Sequence, residues 1–234
     1  FGDPDFFNGV GHAVSVVDAF SREFPGVSYD VTIKVEHLRR HADELGRLRD
    51  TGCLFVVTAV ESIDDTVLTR LDKGHTRADF ESVVGRCRSL GLTLSPTFIP
   101  FTPWTTLEGY CELLRALDAL ELVECVAPIQ LTLRLLIQQG SRLLDLGWGG
   151  LGAGLAPFDH DQLIHPWRHR DPRVDRLQEA VSSLVERRTG APRVVLFDEI
   201  LSVAATEAGL VVPARLTQRR PRASVPFLNE PWYC

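Results

Sequence analysis

The chain predicts an α/β architecture in which parallel strands, each followed by a helix, close wholly or partly into a barrel. Three observations carry that expectation. A β-rich apolar run, a polar loop and an amphipathic stretch recur about every 30 residues. Helix starts and stops punctuate the repeat with hydroxyl or carboxylate caps and glycines. The 234 residues, 44% hydrophobic and 24% charged, are enough for one substantial core. Strands alternating with helices imply right-handed crossovers and helices outside a parallel sheet. A doubly wound sheet has the same alternation and is the architectural runner-up.

"GDPDFFNG" reads as the loop after a strand, and residues 10 to 23 as its helix. "VSYDVTIKV" (27 to 35) is the next strand, and "HLRRHADELGRLRDTG" a helix closed by Gly52. "CLFVVTAV" (53 to 60) follows, with a helix ending at "DKG". Ser62 and Asp65 fit a capping box for that helix. Thr76 and Asp79 open another helix, running to Gly91. "LTLSPTFI" (92 to 99) is a strand, Thr105 with Glu108 caps a helix from 106 to 120, and "VAPIQLTLRLLI" (126 to 137) is the last strong strand. The predicted organisation is a barrel over 1–146 and a linker or lid loop over 147–172. C-terminal helices and a Pro/Arg-rich tail occupy 173–234, with the helices at 173 to 189 and 193 to 209.

Composition excludes several classes. The formal net charge of -6 argues against non-specific nucleic-acid binding. No apolar run approaches the ~18 residues of a membrane span. No secretory signal is visible either, so a cytoplasmic protein is the expectation. Five scattered cysteines, none at C-x-x-C spacing, fit reduced thiols and supply no cysteine-rich metal site. "GWGGLG" matches G-x-G-x-x-G without the strand that motif needs, and His160, His165 and His169 read as a solvated loop. The chain contains no methionine and begins with Phe1 inside an apparent loop, which predicts a fragment lacking its N-terminal part.

The stretch "AVESIDDTVLTRLDKGHT" is the most informative. An apolar run that ends on Glu61 and Ser62 places a carboxylate where a parallel barrel holds ligands, at the C-terminal mouth. Helix capping explains Ser62 equally well.

Taken with "GDPDFFN", "VTIKVEHL", "TFIPFTPWTTLEGY", "LRLLIQQGSRLL" and the terminal "EPWYC", this stretch resembles the radical S-adenosylmethionine (SAM) enzymes. The most similar subgroup is that named for a Cys-Cys-Ala-Glu-Pro or Cys-selenocysteine-Ala-Glu-Pro tail. The resemblance implies a partial (β/α)6 TIM-like barrel, here incomplete at the N-terminus and carrying a C-terminal helical appendage. It also implies a [4Fe–4S] cluster that reduces SAM to a 5′-deoxyadenosyl radical, an unknown substrate, and a reductant protein such as a flavodoxin or ferredoxin. Carried over, Gly2 and Asp3 would receive the methionyl amino group, an Asx-Pro turn being the plainer alternative. Lys34 and Glu36 would serve the cofactor carboxylate and a ribose hydroxyl from one face of a strand end, or form a mutual ion pair. Glu61 and Ser62 would face the cofactor, and Ile99 with Phe101 would wall the adenine. Arg134, flanked by leucines, needs an anion: the cofactor carboxylate, a substrate acid or a neighbouring Glu.

Two parts of the family pattern are missing. The C-x-x-x-C-x-x-C loop that binds the cluster would lie upstream of Phe1, so the chain alone is expected to be inactive. The tail would continue past Cys234, as it would if a selenocysteine codon were read as a stop. The rival readings are a barrel enzyme of polar chemistry such as an aldolase, with Lys34 as its Schiff-base lysine, and a non-catalytic scaffold.

Overall fold

Between Val10 and Ala119 helical segments and strands alternate as the repeat requires, in a computed structural model that describes residues 1–151, 154–211 and 225–226. A 3-10 turn at Phe6–Gly9 leads into α1 (Val10–Glu23), followed by β1 (Tyr29–Thr32), α2 (Val35–Arg40) and α3 (Leu45–Asp50). Next come β2 (Cys53–Glu61), α4 (Asp65–Arg70), α5 (Arg77–Ser89), β3 (Thr93–Phe98) and α6 (Leu107–Ala119). The remainder comprises α7 (Gly147–Leu151), a hairpin of β4 (Gly154–Leu155) and β5 (Trp167–Arg168), α8 (Pro172–Arg187) and α9 (Arg193–Ala208).

β1, β2 and β3 form a parallel sheet in that order, with Val31 opposite Val56 and Val56 opposite Leu94. β2 lies between its neighbours and is closed on both faces. Val56, Thr58 and Val60 on one face have no exposed surface and Phe55 and Val57 on the other are buried, which accounts for its nearly unbroken apolar run. A single parallel bridge, Phe101 to Arg134, extends the pairing beyond β3. The architecture is therefore α/β with a parallel sheet and flanking helices, and a partial barrel is compatible with it. Phe80 of α5 packs edge-on against Phe98, and Tyr110 of α6 stacks on Phe101, so aromatic rings fasten two helices to the sheet. α9 packs against α6 and α8, and its Ile200 and Ala204 share a hydrophobic cluster with Val56 and Phe98.

The structure corrects several expectations. The strand expected over 27 to 35 stops at Thr32. The Lys34 N–H turns to the Asp5 carboxylate at 3.2 Å, leaving Lys34 as the N-cap residue of α2 and Glu36 in its first turn. Strand alternation therefore does not relate these two side chains. The helix expected from 37 to Gly52 is broken at His41, which leaves helical geometry where its ring meets the edge of Phe7. Gly52 does end the segment, at φ 102°, where a Cβ would stand 3.1 Å from the Val27 carbonyl.

The strand expected over 126 to 137 is replaced by a 3-10 turn at Pro128–Leu131. Pro128 has no N–H for a ladder, and the Leu131 and Ile129 carbonyls are taken by the Tyr110 and Thr132 hydroxyls. The Gln130 side chain accepts the Phe98 N–H that a fourth strand would have used. Capping also shifts by one or two residues. Asp64, not Ser62, caps α4 by accepting from Thr66 and Val67, and Thr106, not Thr105, caps α6. The Thr76–Asp79 capping box forms as expected. "GWGGLG" includes the short helix α7, and the expected linker includes the β4–β5 hairpin.

Candidate functional site

The carboxyl ends of β1 and β2 carry four of the polar residues singled out in the sequence: Lys34 and Glu36 after β1, and Glu61 and Ser62 at the end of β2. Ala59 opposes Thr97 but Glu61 opposes Phe98, so β2 carries one extra residue, a β-bulge, at its end. Glu61 takes the left-handed conformation there, φ 66°. The Ser62 N–H donates to the Val60 carbonyl at 2.9 Å, closing a three-residue turn centred on Glu61, and the Ile99 N–H donates to the Glu61 carbonyl at 2.9 Å. Positive-φ turns of this kind are uncommon for residues other than glycine and store roughly 1–2 kcal/mol. The strain aims the Glu61 side chain away from the line of the strand.

Its carboxylate is met by Lys73 Nζ at 3.1 Å, both side chains being largely covered. Lys73 stands in the loop after α4, whose next residue, Gly74 at φ 67°, runs against Glu36. A Cβ at Gly74 would come 2.8 Å from Glu36 Oε2. The Lys73–Gly74 dipeptide thus touches both carboxylate residues, Glu61 from β2 through the Lys73 ammonium and Glu36 from α2 through the Gly74 backbone. Glu36 also pairs with Arg40 one turn on. His75 is buried behind them, its Nδ1 3.1 Å from the Lys73 carbonyl, and burial holds its imidazole below the usual histidine range.

At the end of β1 the anchor is Asp5, not the Asp3 that the resemblance implies. Asp5 is buried, accepts the Lys34 N–H and lies 2.9 Å from His37 Nδ1, with Lys34 Nζ at 3.4 Å. Asp3 accepts the Asp5 N–H at 2.8 Å in an Asx turn through Pro4. Gly2 has open space on the side where a Cβ would project. The signal that could have found Asp5 is its place before two phenylalanines that bury themselves, which draws the carboxylate inward with them.

The remaining candidates divide. Ser62 accepts the Asp64 N–H at 3.0 Å, just ahead of the α4 cap. Ile99 belongs to a second apolar cluster with Trp104, Leu135, Ile137 and Trp167. Arg134 finds its anion in Asp175 of α8 at 2.8 Å, donates to the Trp167 carbonyl at 2.6 Å, and lies 3.5 Å over the Trp167 ring. That guanidinium fastens α8 and the β4–β5 hairpin to the chain beyond β3, and the partner came from none of the three anions the sequence offered.

The groups implied by the resemblance can be tested against these residues. SAM presents a sulfonium, an ammonium, a carboxylate and two ribose hydroxyls. Glu36 and Glu61 offer carboxylates at 30% and 18% side-chain exposure, and Lys34 offers a cation at 62%. This donor set fits. An iron–sulfur cluster does not fit the described residues. Cys53, Cys87, Cys111 and Cys125 are buried, burial pushes the Cys53 and Cys87 thiols up to about 12, and the described residues contain no metal-binding cluster. Among the described residues no helix is long and apolar enough to cross a membrane. Cys234 and the "EPWYC" tail lie outside the described residues.

No protein-family model matches the chain, and no curated protein does. Among solved structures it is similar to the cobalamin-dependent S-adenosylmethionine radical enzyme OxsB with aqua-cobalamin and S-adenosylmethionine bound. The TM-score is 0.66 at 14% identity, over 81% of this chain and 34% of that one. OxsB with aqua-cobalamin bound matches with a TM-score of 0.62 at 14% identity, over 88% of this chain and 38% of that one. The likeness is one of fold, and the chain spans little more than a third of the length of the structures it matches.

Proposed function

We propose that this chain is the SAM-binding portion of a radical SAM enzyme, with the cofactor on the rim formed by the carboxyl ends of β1 and β2. The observation that carries the reading is Glu61. A glutamate occupies a left-handed bulge position that glycine would take without strain, and Lys73, whose neighbour Gly74 runs against Glu36, holds its carboxylate at the end of β2. The fold likeness to OxsB supports it.

In this reading Glu61 and Glu36 face the sulfonium and the ribose hydroxyls, and Lys34 faces the methionyl carboxylate. Gly2 and Asp3 receive the ammonium, Ser62 lies beside Glu61, and Ile99 gives the adenine an apolar wall. Arg134 stays with Asp175 and Trp167. Reductive cleavage of SAM needs a [4Fe–4S] cluster and a reductant protein such as a flavodoxin or ferredoxin, and the cluster's ligands come from outside the described residues. The finer assignment, to the subgroup with the cysteine or selenocysteine tail, rests on "EPWYC". Lys34 as a Schiff-base lysine is disfavoured physically, because it is well solvated and ion-paired with Asp5 rather than set in an apolar pocket.

Calorimetric titration of the chain with SAM and with S-adenosylhomocysteine tests the proposal. SAM is expected to bind more tightly, because the carboxylates recognise the sulfonium charge. Glu61→Gln is expected to weaken SAM by about tenfold. Equal affinity for the two nucleosides, or no effect of the substitution, would remove Glu61 from the site.

A further inference from the structure

The Arg134 clamp helps line a cavity of about 380 Å³ between the β4–β5 hairpin and α8. Four charged side chains line it: Arg134, Arg168, Asp175 and Glu179. Arg134 and Asp175 satisfy each other, and Asp175 also accepts the His169 N–H at 3.0 Å. That leaves Arg168 on β5 and Glu179 on α8, four residues and one helical turn beyond Asp175. Among the described residues neither is ion-paired, so the two opposite charges face one cavity without closing on each other. Leu155, opposite Trp167 in the hairpin, contributes an apolar surface.

We propose that this cavity binds a free α-amino acid, its carboxylate on Arg168, its ammonium on Glu179 and its side chain against Leu155. Two carboxylates in the lining oppose a dianion such as phosphate, and two guanidiniums oppose a dication; a zwitterion is the ligand complementary to both. The volume lies near the lower end of that of small-molecule sites, which matches a single amino acid. Arginine engages a carboxylate through two parallel N–H donors, and such charge-assisted contacts are the strong ones. The clamp fixes the floor by holding Trp167 and α8 in place, so the two outer charges remain set apart when the ligand leaves.

The test is a titration of the full chain with the standard L-amino acids to about 5 mM, followed by ligand-detected NMR. Saturable binding of at least one amino acid is expected, and N-acetylation or amidation of that ligand should each weaken it by about tenfold. Arg168→Gln and Glu179→Gln, both at exposed positions, should each weaken it similarly with the melting temperature unchanged. The amidated ligand should lose nothing further in Arg168→Gln, nor the acetylated ligand in Glu179→Gln, which pairs each terminus with its residue. SAM affinity should be the same in both variants, because neither residue is among those assigned to the rim. No binding at 5 mM, or binding indifferent to both substitutions, overturns the proposal. So does a parallel loss of SAM affinity, which would make the cavity the cofactor's own amino-acid subsite.

Discussion

Lys73 Nζ donates to Glu61 Oε1 across 3.1 Å, and the residue that receives this bond holds its backbone at φ 66° in a bulge that β3 pairs around. The side chain is thus fixed at both ends, by backbone strain below and by the ammonium above. A residue kept in an unfavourable conformation by everything around it is a sign of a functional position, since a glycine would remove the strain.

That reasoning gives opposite expectations for two substitutions. Glu61→Gly relieves left-handed strain of about 1 kcal/mol and loses a partly exposed ion pair of similar size, so its stability should lie within about 1 kcal/mol of wild type. Glu61→Val sets a β-branched residue at positive φ and should lose about 2 kcal/mol or more. Urea unfolding of both decides; equal losses would mean that the left-handed geometry is unimportant.

Arg134 and Asp175 should behave as a coupled pair. Arg134→Leu leaves Asp175 largely covered and without its cation, removes the stack on Trp167, and should cost about 2–3 kcal/mol. Arg134→Leu with Asp175→Leu should cost clearly less than the two single losses together. Additive losses in a double-mutant cycle would show that the clamp is not a unit.

Helix capping separates Thr76 from Ser62. Thr76→Ala should cost about 1 kcal/mol, because it removes one half of a complete capping box. Ser62→Ala should cost about 0.5 kcal/mol or less, since Asp64 caps α4. Thermal unfolding of the two variants measures the difference.

Stability should depend on pH at both extremes. His75 is held below its usual value, so the native state stays neutral while the unfolded chain takes up a proton. Its contribution is present above about 6.5 and lost as pH falls, and His75→Asn should flatten that acid limb. The raised thiols of Cys53 and Cys87 act in the other direction. Their contribution is complete below about 9 and drains as pH rises toward about 12. Both thiols should resist iodoacetamide at pH 8 in the native chain and react once it is unfolded.

The parts of the fold legible in the sequence are those set by local physics. The apolar run of β2, the Thr76–Asp79 box and the turn at Gly52 are all decided within a few residues. What escaped depends on partners far along the chain. Arg134 meets Asp175 forty-one residues later, and Asp5 meets His37 thirty-two residues later. "VAPIQLTLRLLI" has strand composition, but Pro128 and two side-chain hydroxyls withdraw its backbone from the ladder. The candidate rim residues stood out in the sequence as polar types near expected strand ends. The bulge at Glu61, and the passage of Gly74 against Glu36, follow from tertiary packing alone.

The central claim is that the rim at the carboxyl ends of β1 and β2 receives SAM, and amide chemical-shift mapping tests it most directly. Titrating the isotope-labelled chain with SAM should move the signals of residues 34 to 37, 61 and 62, 73 to 75, and Ile99 together, with one shared affinity. Shifts confined to other surfaces, or none at all up to a few millimolar, would contradict the account.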